Sequence, residues 1–92
     1  MSISARGSVE IINRLGMHAR AASVFVETAS GFQSEVWVTR SGNRVNGKSI
    51  MGVLMLAASC GTTIDIEAIG VDAEQALVAL VSLVSDRFGE EQ

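Results

Sequence analysis

Proline is missing from the 92-residue chain, and histidine and cysteine occur once each, at His18 and Cys60. One histidine and one cysteine exclude a zinc cluster of such ligands within the chain and any internal disulfide framework, so neither metal nor cofactor is expected. A cysteine with nothing to pair with fits a reducing compartment. Long apolar runs are missing too: the longest, 50–58 and 76–84, fall far short of the ~20 residues of a membrane span. Residues 1–7 lack the apolar stretch of a secretory signal. A cytoplasmic protein without membrane insertion is the expectation. Repeats, low-complexity segments and Gly/Ser linkers are absent, and the length suits one domain, 1–92. Charged residues make up 18% against 48% apolar, a balance that excludes disorder.

Acidic residues are scarce at first and crowded later. Residues 1–60 hold six basic and three acidic side chains, whereas 61–92 hold one and seven. The basic first part suits an anionic ligand or an acidic partner surface, and the net charge of -3 argues against nucleic acid. Solvated charges that merely fell this way account for the counts equally well.

Short elements alternate in type. Residues 7–12 place Val9 and Ile11 on one face and Ser8 and Glu10 on the other, the period of a half-buried strand. Over 19–30 the period changes: Ala22, Phe25, Val26 and Ala29 form a helical stripe. Gly31 then predicts a left-handed stop, with Phe32 folding back on the last turn. Val36 and Val38 alternate with Trp37 and Thr39 over 34–40, and a turn at 41–43 leads into a weak second strand, 44–46. Ser49 is a plausible N-cap for a helix over 50–58 with almost no polar face, either wholly buried or docked on a partner. Ile64, Ile66 and Ala68 alternate with Asp65 and Glu67 in a strand over 63–69. Asp72 with Gln75 reads as a capping box for a last helix whose stripe is Ala73, Leu77, Leu80, Val81, Val84 and Phe88. The order βαββαβα implies an α+β two-layer sandwich with helices on one face of a sheet.

Three groups of residues offer chemistry. Residues 42–49, Gly-Asn-Arg-Val-Asn-Gly-Lys-Ser, satisfy the G-x-x-x-x-G-K-[ST] pattern of a phosphate-cradling loop. Nucleotide-hydrolysing domains that use this loop need a parallel sheet wound by crossover helices and an acidic magnesium partner, and the chain offers neither. A hairpin turn followed by a capped helix accounts for the same residues with less. Cys60 is expected at a helix end, where the dipole disfavours a thiolate, and is read as a small buried residue. His18 is more informative. It stands where the strand period gives way to the helix period, after the turn-forming Gly16 and beside Arg14 and Arg20. Unsatisfied N–H groups and the positive end of the dipole favour an anion there, and an imidazole nitrogen is a nucleophile for a phosphoryl group. A histidine that simply caps the helix or fills the core is the competing account.

Gly16-Met17-His18-Ala19-Arg20, followed some thirty residues later by Gly47-Lys48-Ser49-Ile50-Met51-Gly52-Val53, closely resembles the HPr family, the histidine-containing phosphocarriers of the bacterial phosphotransferase system. The likeness covers essentially the whole chain. It implies an open-faced sandwich of four antiparallel strands with three helices on one face. It also implies that His18 takes a phosphoryl group on Nδ1 from phosphorylated enzyme I and passes it to an EIIA-type protein, with Arg20 balancing the phosphate. Such a chain is a carrier with a phosphohistidine intermediate rather than a free-standing catalyst, and a monomer is expected. Ser49 matches the serine that HPr kinase/phosphorylase modifies in some members. A regulatory module switched at Ser49, with little carrier flux, is the alternative.

Met17, Ile50, Met51 and Leu54 beside the two motifs form a candidate docking patch, since methionine-rich apolar surfaces fit several unlike partners. Core packing explains Ile50 and Leu54 as well. Arg20 and Lys48 would form its positive rim. The family usually has proline after the arginine, where this chain has Ala21. Proline is accepted in a first helical turn, so alanine keeps the helix and adds a donor.

Overall fold

Two periodicities build the molecule, whose computed structural model describes residues 3–92. Strands β1 (Ser4–Glu10), β2 (Glu35–Arg40), β3 (Asn43–Asn46) and β4 (Thr63–Ile69) form one antiparallel sheet in the order β1-β4-β2-β3. Helices α1 (Ala19–Ser30), α2 (Ile50–Met55) and α3 (Ala73–Ser85) cover one face, and a 3₁₀ turn, Arg87–Gly89, follows α3. This is the expected open-faced βαββαβα sandwich.

Alternation decides which side of each strand is buried. Val36, Val38, Ile64, Ile66 and Ala68 point at the helices and are almost fully buried. Phe25 of α1 and Leu80 and Val84 of α3 close over them. Burying each such large side chain stabilises the fold by about 1.5–3 kcal/mol. Ala21, Ala22 and Ala29 on α1, all at 0% exposure, let that helix approach closely. On the open face, Arg44 lies 4.2 Å over the Trp37 ring and also reaches Glu67, so Trp37, on an inner strand, is half-sheltered. Arg40 and Asn43 pair directly, leaving Ser41 and Gly42 as a two-residue turn with φ of 50° and 83°, the twist a tight hairpin needs.

Several local expectations are corrected. Strand β1 ends at Glu10, and Ile11 leaves the ladder to exchange backbone bonds with Gly61 and Thr62. Gly31 stays right-handed (φ -74°), because α1 ends by tightening, with Gly31 N–H donating to Thr28 O and Phe32 N–H to Ala29 O. Helix α2 stops at Met55, since Ala57 adopts φ 50° and turns the chain away. It is neither wholly buried nor wholly exposed: Val53 and Leu56 enter the core while Met51 and Met55 are 68% and 77% exposed. Cys60 therefore lies in a turn beyond the helix and is exposed, not buried. Asp72 does precede α3, but its side chain makes no cap. Its carboxylate instead accepts from the Gln33 and Ser34 N–H groups and from Ser34 Oγ, tying the α1–β2 loop to α3.

Candidate functional site

Gly16 makes the turn that presents His18. It has φ +68°, and a Cβ there would lie 2.8 Å from Ala58 O and 2.9 Å from Ser59 Cα, so only glycine fits without strain. Met17 N–H donates to Ala58 O at 2.8 Å, fastening this loop to the segment leaving α2. His18 follows in an extended conformation (φ -75°, ψ 178°) as the N-cap of α1, and its carbonyl accepts the first helical bond, from Ala22 N–H. Its side chain makes no cap bond, and the first turn contains no acidic residue. Among the described residues, the N–H groups of Ala19, Arg20 and Ala21 have no acceptor. Three donors at the positive end of a helix favour an anion.

An anion is already close. His18 Nε2 and Glu90 Oε2 are 2.6 Å apart, and Arg20 donates to the same oxygen at 2.9 Å and to Phe88 O at 3.2 Å. Buried Asn13 donates to Glu90 Oε1 at 3.0 Å and to Gly16 O at 2.8 Å. Burial pushes the Glu90 carboxyl up, but hydrogen bonds from His18 and Asn13 and the attraction of His18 and Arg20 outweigh it and hold the group below the usual glutamate range. Arg14, Leu15, His18, Arg20, Glu90 and Gln92 line an open pocket of about 350 Å³. His18 Nδ1 takes part in no hydrogen bond among the described residues, which leaves that nitrogen available as a nucleophile.

The other singled-out residues divide. Ser49 caps α2, its Oγ accepting from Gly52 N–H at 3.1 Å. Lys48 Nζ donates to Phe32 O at 2.8 Å, so its ammonium is tied to the end of α1 rather than standing free on a rim. Residues 43–46 of the lysine–serine string form strand β3, which spends their backbone groups on a sheet edge rather than on a phosphate cradle. Ile50 and Met51 are exposed, Leu54 packs partly against the core, and Met17 is 5% exposed and belongs to the core, not to a docking face. Leu15 and Met55 are exposed as well, and were not among the patch residues expected from sequence. Glu90 and Asn13 were missed as well. Glu90 was one of seven acidic residues after position 60, with no local pattern to separate it from the rest. Among the described residues no helix is long and apolar enough to cross a membrane, and no group of acidic, histidine and cysteine side chains is suited to hold a metal.

Residues 5–86 match the family model described as the PTS HPr component phosphorylation site. The chain is 58% identical over 83 residues to the phosphocarrier protein HPr of Neisseria meningitidis serogroup A, covering 90% of this chain and 93% of that one. It superposes on the crystal structure of HPr-C-His from Thermoanaerobacter tengcongensis with a TM-score of 0.92, at 45% identity, over 96% of this chain and 99% of that one. An HPr dimer from the same organism matches with a TM-score of 0.76 at 48% identity, covering 89% of this chain and 94% of the other.

Proposed function

Because the chain belongs to the HPr family and is a phosphocarrier of the phosphotransferase system, we propose that His18 Nδ1 is the atom that carries the phosphoryl group. Its lone pair forms the N–P bond while the bond from phosphorus to the donor breaks, the electron pair returning to the donor. Transfer to an acceptor reverses these roles. Enzyme I is the donor and an EIIA-type protein the acceptor in this reading, in the cytoplasm, with the carrier acting as a monomer. The observation that carries it is the start of α1, where the consecutive residues 18–21 bring an imidazole with an unbonded Nδ1, three unpartnered N–H groups and the Arg20 guanidinium to one helix end. Such fixed donors stabilise charge on a transferring phosphoryl group without reorganising. Incubation with phosphoenolpyruvate and enzyme I should add one acid-labile, base-stable phosphate, and His18→Ala should abolish it. A wild-type protein that takes up no label sinks the proposal.

The docking face proposed for these partners draws on the exposed apolar side chains of Leu15, Ile50, Met51 and Met55, with Arg20 supplying positive charge. Ser49 is the proposed site of a regulatory phosphate from an HPr kinase/phosphorylase. Its Oγ already faces a helix N–H, so a phosphate there keeps an acceptor at the cap while adding negative charge next to Ile50.

A further inference from the structure

The segment after α3 is folded back at a cost. Arg87, Phe88 and Gly89 all have left-handed backbone, with φ of 57°, 54° and 79°, and two of the three carry side chains that disfavour it. Phe88 is nonetheless buried at 2% exposure, anchoring the turn in the core. Arg14 N–H donates to Gln92 O at 2.9 Å, and Arg20 to Phe88 O, so the segment is fastened on both sides of Glu90. Asn13 leaves its own buried Oδ1 without a partner while both bonds from its Nδ2 go to Gly16 O and Glu90 Oε1. Strain and an orphaned carbonyl are thus tolerated in one place, and their joint result is to hold one carboxylate against Nε2 of His18.

We infer that Glu90 is a positioning residue for phosphoryl transfer, fixing the ring proton on His18 Nε2 so that the Nδ1 lone pair faces outward and the charge that develops on the ring is neutralised. The inference rests on the reading of His18 as the phosphoryl acceptor. An ionised carboxylate only accepts hydrogen bonds, so the partner nitrogen 2.6 Å away must be the donor, and in a neutral ring the other nitrogen then keeps its lone pair. As the Nδ1–P bond forms and the bond to the donor breaks, positive charge spreads to Nε2–H, where the Glu90 carboxylate meets it. Arg20 shares the same Oε2, which keeps its guanidinium beside the ring.

Two variants and two readouts test it. Phosphoramidate, a small phosphoryl donor, removes partner docking from the measurement, and ring-nitrogen NMR at about pH 9, where a histidine ring is ordinarily neutral, reports the proton. Wild-type protein should show a solvent-protected N–H on Nε2 and none on Nδ1. Glu90→Ala should lose that protected signal and take up phosphate about tenfold to a hundredfold more slowly, the range of one charge-assisted hydrogen bond. Glu90→Gln, which can still accept the bond without the charge, should keep the signal and fall between. A folded Glu90→Ala protein phosphorylated at the wild-type rate or faster overturns the inference, as does a wild-type ring proton on Nδ1. Wild-type protein that is not phosphorylated on His18 at all strikes instead the reading on which the inference rests.

Discussion

Helices α1 and α2 begin in opposite ways. Ser49 caps α2 from within, its Oγ taking the Gly52 N–H at 3.1 Å, so one of the free donors at the start of that helix is met by the N-cap side chain itself. His18 occupies the same position on α1 and makes no cap bond, leaving the N–H groups of Ala19, Arg20 and Ala21 without acceptors. The negative charge that α1 calls for comes from outside the helix, from Glu90, 72 residues away from His18 in sequence. One N-cap side chain is spent on its own helix and the other is left free of it. Stability at the first and reactivity at the second follow from whether the N-cap side chain is spent locally.

The contrast can be broken at three further points. Gly16→Ala should have the largest effect, because it places a Cβ against the Ala58 and Ser59 backbone at a positive φ. Strain and overpacking together should cost about 2–4 kcal/mol in denaturant unfolding and displace His18. Ser49→Ala should open the start of α2 and cost about 1 kcal/mol, with His18 phosphorylation unaffected in the presence of the small donor. The smallest effect is on pH dependence. Glu90 is held below the ordinary carboxylate value, so its contribution to stability is present above about pH 4.3 and is lost as pH falls through the lower folded-state value. The thermal midpoints of wild type and Glu90→Gln should therefore differ near about pH 6 and converge as pH falls through that lowered value.

Elements whose signal is local were legible. The alternation of Ile64, Ile66 and Ala68 and the stripe of Ala22, Phe25 and Ala29 were found on the faces expected of them, because pleat and helical period are properties of neighbouring residues. Boundaries and caps fared worse where a distant group competed for the same atoms. Asp72 has the sequence of a capping box, yet Ser34 and the loop before β2 offer its carboxylate three donors, and these bonds hold its carboxyl below the usual range. Phe88 reads as the next position of the α3 stripe, and it is buried, but by a left-handed turn that leaves the helix. Lys48 looks like a phosphate ligand or a rim charge until Phe32 O is seen to take its ammonium.

The opening scarcity of histidine had already narrowed nucleophilic imidazole chemistry to one ring, and the flanking glycine and arginines placed that ring at a helix start. These were matters of composition and spacing, which the chain carries wherever it folds. Which ring nitrogen is free, and what charge stands beside it, was decided only when the acidic second part came back over the basic first part. The charge asymmetry of the sequence pointed to an anion near His18, and the fold supplies one from the chain itself. A contact between residues so far apart depends on turning Arg87 to Gly89 left-handed as Phe88 packs, and no local pattern encodes that turn.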